Sequence, residues 1–422
     1  VTPTESRSRA EIREEQALSE QRFPAHARFR RSHRVMRSLG LVLTGALAFV
    51  ATGAGAVYYT MQGNITSVDV SALLGDAGEA QPDPVDPNAG TPLNILLLGS
   101  DDRSGVNADI GGVEDGMRSD TSILMHISAD RSRVELISIP RDTLVDIPSC
   151  TMTDGTTTWA QSDAMFNSAF AIGWDNGGDI TSAVGCTMKT VQEVTGVTLS
   201  GFALVDFAGF QSMIDSIGGV PMCIPEAIES PDAGLYLSAG YQTLNGAQAL
   251  GLARARKGTN MDGSDLKRID RQQELLGATA SAVLDRNTLL DPSSLLPFLN
   301  AATSSVTASP ELASIQNLSG LAFALRGIDK NNITFMTIPI MEAPSDRYRV
   351  VMTSEADAIW AKIASDTPIV EPVVPVEPTP DPAAPAPEAP DVVETPVEPT
   401  TPAPAPETPE GVTSAATVIA GC

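Results

Sequence analysis

From Leu39 to Tyr59 the chain reads LGLVLTGALAFVATGAGAVYY, with no charged residue. A helix of about 20 apolar residues is what the hydrocarbon core of a bilayer demands. No other stretch restricts the architecture as strongly, because it ties the chain to a membrane and separates what lies on its two sides. Residues 1–37 hold nine arginines and five glutamates, whereas Met61 to Asp102 contains neither lysine nor arginine. That asymmetry places the amino terminus in the cytoplasm and the remainder outside. Ala54-Gly55-Ala56 imitates a signal-peptide cleavage site. However, the basic lead is long and the apolar run exceeds the roughly 7 to 15 residues of a signal-peptide core, so a single-pass anchor is expected.

The expected organisation is a basic cytoplasmic tail (1–37), a transmembrane helix (38–60), a stalk (61–91), one folded domain (92–365) and a Pro-rich acidic arm (366–422). The arm follows from composition: TPIVEPVVPVEPTPDPAAPAPEAP and what comes after it offer little to bury, so an extended solvated chain is expected. The net charge of -25 argues against nucleic acid as a partner, since most of the surface would repel phosphate. One histidine, His126, lies beyond the tail, and the four cysteines form no CxxC pair, which leaves little for a Cys/His zinc site. Outside the cytoplasm disulfides become expected; Cys150 with Cys186 is the preferred pair, although spacing alone leaves other pairings open.

Within the domain, LNILLLGS (93–100) reads as a buried strand. TSILMHISA (121–129) and RVELISIP (133–140) read as a hairpin in the same sheet. GFALVDF (201–207), GGVPMCI (218–224) and NITFMTIPI (332–340) are the next strand candidates. Helices are expected near 164–172, 178–195, 207–217, 245–254, 264–285 and 309–326. Strands alternating with helices predict an α/β fold with a mixed sheet covered on both faces.

Acidic and basic residues gather at the strand ends: Asp101, Asp102 and Arg103; Arg118 and Asp120; Arg141 and Asp142. Two such carboxylates plus substrate phosphates are a common way to hold Mg2+, but Asp after a strand is also ordinary turn chemistry. A second cluster is less ordinary. Between Arg254 and Arg271, four arginines and two lysines occupy eighteen positions of a strongly acidic chain. Several fall in the first turns of a helix capped by Ser264 or Asp265, where cations oppose the helix dipole, so helix stability does not account for them. The planar fork of arginine suits phosphate oxygens, and a pyrophosphate is the fitting ligand. Ion pairing with surrounding Asp and Glu is the competing account.

Taken in order, NILLLGSDDR, MRSDTSIL, ISIPRDTLVDIP, FNSAFAIG, LVDFAGFQSMIDSIGGVPMCIP, LNGAQALGLARARKG and SDLKRIDRQQELL resemble the LytR-CpsA-Psr family of bacterial cell-wall enzymes. The resemblance implies an α/β/α sandwich with a buried apolar channel. It implies an Mg2+-dependent phosphotransferase of the bacterial cytoplasmic membrane that moves a glycopolymer from a polyprenyl-pyrophosphate-linked glycan to peptidoglycan. By resemblance, Asp101 and Asp120 hold Mg2+. Arg118, Arg141, Arg254, Arg256, Arg268 and Gln272 grip the pyrophosphate, with Arg118, Arg141 and Asp265 at the catalytic centre. GFALVDFAGFQSMI and GLAFALRG are the channel-lining candidates. The cysteines at 150, 186 and 223 resemble the actinobacterial branch, with arabinogalactan or a teichoic-type polymer as cargo. Met165 stands where the family usually has a lysine, which removes one phosphate contact. The same residues would also serve a polyprenyl-pyrophosphate hydrolase, or ion-pair in a non-catalytic wall-associated binding protein.

Overall fold

The computed structural model describes residues 26–75, 90–101, 116–261, 265–283, 292–325, 328–370 and 411–415, with isolated positions 13, 107, 110 and 263. The chain divides into two units, Val1–Thr60 and Met61–Cys422. The first is dominated by helix α1 (His26–Asn64), whose stretch Met36–Asn64 is long and apolar enough to cross a membrane and buries none of its apolar window within the protein. Asp102, Arg103, Ser264, Cys422 and the stretches 76–89 and 371–410 lie outside the described residues.

The second unit is built on a mixed sheet. Its strands are β1 (Thr66–Ser67), β2 (Leu93–Ser100), β3 (Ser119–Ile127), β4 (Val134–Ser138), β7 (Gly201–Val205), β12 (Val306–Ala308), β13 (Ile333–Thr337) and β16 (Thr413–Ser414), in spatial order β1-β12-β7-β2-β3-β4-β13-β16. β2–β3–β4 is antiparallel, whereas β2–β7 and β4–β13 are parallel. Alternation along β2 decides what each face covers. Leu96 and Leu98 point into a core shared with helices α2 (Ser168–Gly177), α3 (Ile180–Thr195) and α9 (Ser354–Ala364). Leu93, Ile95 and Leu97 point to the other face, over α6 (Asp265–Val283) and α8 (Ile315–Leu325). This is the expected sandwich, produced by the two-residue side-chain period of a strand buried on both sides.

Three departures from expectation have clear causes. GGVPMCI forms β8 (Val220–Ile224), but it pairs with β11 (Gly240–Leu244) in a separate ribbon. That ribbon, with the small hairpin β9 (Ile228–Ser230) and β10 (Leu235–Leu237), packs against α4 (Phe207–Ser216) and α5 (Gly246–Arg254) around its own core. The helix expected at 164–172 is a strand and then a helix: β5 (Leu144–Ile147) pairs with β6 (Gln161–Met165) before α2 starts at Ser168. β6 reads QSDAM and is largely exposed, so it carries no apolar alternation to announce it. The helix expected at 309–326 begins only at Ile315, after β12 and a turn; helix α7 (Pro292–Ser305) precedes them.

Both boundaries of the folded body also move outward. Residues 61–75, expected as stalk, contribute β1 and bury Val70, Leu73 and Leu74. At the other end Ile369 is buried and its N–H donates to the Glu135 carboxylate at 2.7 Å. Asp366 accepts from the buried His126 ring at 3.1 Å and pairs with Arg133. After the proline run, β16 pairs antiparallel with β13, and Ala415 is buried. GVTSAA regains β-branched and small residues without proline, which is what an added sheet strand needs.

The disulfide expectation holds. Cys150 and Cys186 are bonded, tying the loop between β5 and β6 to α3. Cys223 is disulfide-bonded as well.

Candidate active site

The site forms where the carboxyl end of β2, the start of β3 and the residues after β4 meet the α5–α6 connection. Ser100 of β2 faces Ser119 of β3, and one residue further the Asp101 N–H donates to the Arg118 carbonyl at 3.0 Å. The Asp101 carboxylate in turn accepts the Arg118 backbone N–H at 2.6 Å. Strand pairing, reinforced by this carboxylate contact, holds Asp101 against Arg118, two residues from Asp120.

Asp120 Oδ1 accepts from Arg141 Nη1 at 2.7 Å. Arg141 Nε lies 3.5 Å from Asp265 Oδ1, the same atom that accepts from Arg256 Nη2 at 2.9 Å and pairs with Arg268 Nη2 at 2.7 Å. Three guanidiniums thus converge on one carboxylate oxygen, more positive charge than it can neutralise. Arg268 is 3% exposed and also donates to the Asp120 carbonyl at 3.2 Å. Burial pushes its guanidinium down to about 10, still charged at neutral pH, against the opposing pull of Asp265. Burial on its own would raise Asp120, but Arg141, Arg268 and Arg256 outweigh it and hold the carboxyl below its ordinary range. Among the described residues, the buried atoms Arg141 Nε, Arg268 Nε and Asp265 Oδ2 have no hydrogen-bond partner. Buried polar atoms left uncommitted inside a protein are costly, and three of them gather in this one cluster.

Beside this cluster lies a cavity of about 470 Å3. One end is polar, with Asp101, Asp120, Arg254, Arg256, Arg268 and Gln272. The rest is apolar, walled by Leu97, Ile123 and Val205 of the sheet, Phe207, Phe210 and Ile214 of α4, Leu250 of α5, Leu275 of α6 and Phe298 of α7. The segment GFALVDFAGFQSMI therefore lines it as expected. The described part of GLAFALRG does not: Leu321 and Leu325 pack into the core below the sheet, and Phe323 is exposed. An apolar helix face is more often core than channel, and only the placement of α8 distinguishes the two.

Arg141 and Asp265 stand behind the polar end rather than on the cavity wall, and Asp265 orients the arginines. The exposed Arg118 joins the site through its backbone. Gln272 donates to the Ala253 carbonyl at 2.9 Å, and Arg271 to the carbonyl of Ala255, so both brace the α5–α6 turn. Lys267 pairs with Asp270 at the surface. Met165 lies on β6 opposite Leu144, and two residues later the Asn167 N–H holds the Arg141 carbonyl at 3.2 Å.

Two contacts escaped sequence reasoning. Phe207 stacks under the Arg254 guanidinium, 4.6 Å from ring centroid to Cζ, while Arg254 Nη1 donates to the Ile110 carbonyl at 3.2 Å. Asp142, which lies 3.7 Å from Arg141, also takes Arg349 at 3.2 Å, from a strand more than 200 residues later. No sequence spacing connects either pair. A cation held on an aromatic face at a partly desolvated site contributes about 0.5 to 2 kcal/mol. Phe207→Leu is therefore expected to weaken binding of a prenyl pyrophosphate roughly 2- to 30-fold while Phe207→Tyr preserves it; equal affinity for the leucine variant and the wild type would refute the stack.

Residues 57–365 match the family model described as the LytR_cpsA_psr family. The chain belongs to this family. It is 34% identical over 277 residues to the probable cell wall biosynthesis protein LcpB of Corynebacterium glutamicum, covering 64% of this chain and 59% of LcpB. It is 31% identical over 250 residues to the polyisoprenyl-teichoic acid–peptidoglycan teichoic acid transferase TagU of Oceanobacillus iheyensis, covering 58% of this chain and 66% of TagU. The chain thus spans less than two thirds of the length of either relative. The LytR-Csp2A-Psr enzyme from Actinomyces oris shares the fold, with a TM-score of 0.50 at 20% identity, covering 71% of this chain and 96% of that one.

Proposed function

We propose that this LytR-CpsA-Psr protein transfers a glycopolymer from a polyprenyl-pyrophosphate carrier to peptidoglycan, forming a phosphodiester link. The observation that carries the reading is the single cavity with an arginine-rich end and an apolar remainder. An amphiphile with a hydrocarbon tail and a polyanionic head matches both halves, and the name of the relative TagU supports the same substrate class.

In this reading the tail enters among Phe207, Phe210 and Leu275, and the pyrophosphate lies against Arg254, Arg256 and Arg268. The acceptor hydroxyl oxygen bonds to the sugar-bearing phosphorus as the bond from that phosphorus to the bridging oxygen breaks. Polyprenyl phosphate leaves, and the hydroxyl proton passes to a base. Phosphoryl transfer depends chiefly on positioning and charge neutralisation, which the fixed guanidiniums supply. Asp265 acts through them as a positioning residue.

The polar end also suits Mg2+. Asp101 and Asp120 face one cavity from adjacent strands, and Mg2+ is commonly held by one or two carboxylates plus substrate phosphates. Among the described residues no group of three or more His, Cys, Asp or Glu converges, so the remaining ligands would come from substrate and water. The bound ion would add neutralising charge at the phosphoryl oxygens. With α1 in the bacterial cytoplasmic membrane, the charge asymmetry around it supports an amino terminus inside and the catalytic unit outside.

The test incubates the full chain in detergent with a polyprenyl-pyrophosphate-linked sugar, Mg2+ and peptidoglycan fragments. Sugar phosphate joined to the glycan is expected. Release of free sugar phosphate would instead make the protein a hydrolase, and no consumption of donor would leave a non-catalytic binding protein.

A further inference from the structure

We propose that the hairpin β14 (Ile340–Ala343) and β15 (Asp346–Met352) carries a carbohydrate subsite, which binds the sugar attached to the pyrophosphate through Tyr348 and the Asp142–Arg349 pair. The assignment rests on the transferase reading and extends it to a part of the donor that the cavity does not hold.

The hairpin is fastened to the site. Val350 bridges Thr143 in parallel, and the Val350 N–H reaches the Asp142 carbonyl at 3.4 Å, so β15 runs along the residues that directly follow Arg141. Side chains continue the connection. Asp120 on the cavity wall holds Arg141 at 2.7 Å, Arg141 lies 3.7 Å from Asp142, and Asp142 takes Arg349 at 3.2 Å. Next to Arg349 stands Tyr348, 74% exposed, with the Arg347 guanidinium carbon 5.3 Å from its ring centroid.

The order of these groups matches the order of groups in a donor. Arg254 leans on Phe207 at the apolar cavity, whereas Arg141 stands off the cavity wall behind Asp120. A molecule whose tail fills the cavity and whose pyrophosphate meets the arginines must extend its sugar away from the tail. The hairpin lies on the Arg141 side, joined to the cavity wall through Asp120, Arg141 and Asp142.

The chemistry of the hairpin suits a sugar better than a further phosphate. Arg349 is already neutralised by Asp142, so the pair offers planar donors and acceptors to adjacent hydroxyls without surplus positive charge. An aromatic ring with a polar rim covers the C–H face of a pyranose, as tyrosine does at other amphipathic surfaces. A lone exposed tyrosine or surface ion pair would be unremarked on any protein. Here they are neighbours along one strand, and the ion pair is joined through Asp142 to an arginine of the site.

The test measures binding by calorimetry on the full chain in detergent, with two ligands: a sugar-free prenyl pyrophosphate and a polyprenyl-pyrophosphate-linked disaccharide. Loss of one stacking contact corresponds to about a 2- to 12-fold change. Tyr348→Ala and Arg349→Gln are expected to weaken the disaccharide-linked ligand by that amount while affinity for the sugar-free one stays within about twofold, and Tyr348→Phe should bind like wild type. Equal weakening of both ligands, no change with either, or an effect confined to the KM of the peptidoglycan acceptor would overturn the subsite. If the wild type binds both ligands but transfers nothing, the transferase reading falls while the subsite stands.

Discussion

Arg268→Ala is expected to reduce kcat/KM for a carrier-linked donor about 100- to 1,000-fold, the usual effect of removing one fixed donor from a developing phosphoryl or acyl charge. The buried side chain links the site's two anchors, pairing with Asp265 Oδ1 at 2.7 Å and donating to the Asp120 carbonyl at 3.2 Å, with its Nε uncommitted. Lysine at 268 should not restore turnover, since a point charge on a flexible stem cannot make these bonds together. Part of the loss will be structural: breaking a buried ion pair costs roughly 3 to 5 kcal/mol when the partner charge is stranded. Asp265 keeps Arg256 and Arg141, so the cost here should fall short of that. Calorimetry and single-turnover transfer separate the two effects: the loss of Tm is expected to be small because Asp265 keeps two partners, while the loss of transfer is full. Activity within tenfold of wild type in Arg268→Ala would remove this arginine from the phosphate grip.

Removing the Cys150–Cys186 bond should produce the largest stability change. The two cysteines are 36 residues apart and both buried. Loop-closure entropy for such a separation amounts to about 3 to 4 kcal/mol. For a domain of this size that predicts a Tm lower by about 10 °C in the Cys150→Ala/Cys186→Ala variant. The loop it secures leads through β6 to Asn167, whose backbone N–H holds Arg141. Donor affinity should therefore weaken at temperatures where the fold is still intact. A Tm within about 2 °C of wild type would show that packing alone holds the loop.

The residues that were legible from sequence share a physical origin. β2, β3, β4 and β7 are buried runs of branched and aliphatic residues, and the strand period announces them directly. The arginine segment stood out because a cationic cluster opening a helix has no local stabilising reason. β6 is polar and exposed, and β16 follows a proline run, so neither carries such a signal. Ion pairing and phosphate binding looked like competing accounts of the arginines. The structure shows the ion pairing, with Asp265 collecting three guanidiniums and neutralising only part of their charge, and the proposed phosphate grip would use the charge that remains.

The amino-acid sequence by itself determined that the chain carries a membrane-length apolar helix, an α/β body and a concentrated arginine cluster in an acidic protein. All three follow from local composition and period. Only the tertiary structure decided that α4 rather than α8 walls the cavity, that Phe207 supports Arg254, and that Arg349 reaches Asp142 across 207 positions. Such contacts depend on which faces of distant elements meet when the sheet is covered, and no local signal in the chain encodes that pairing.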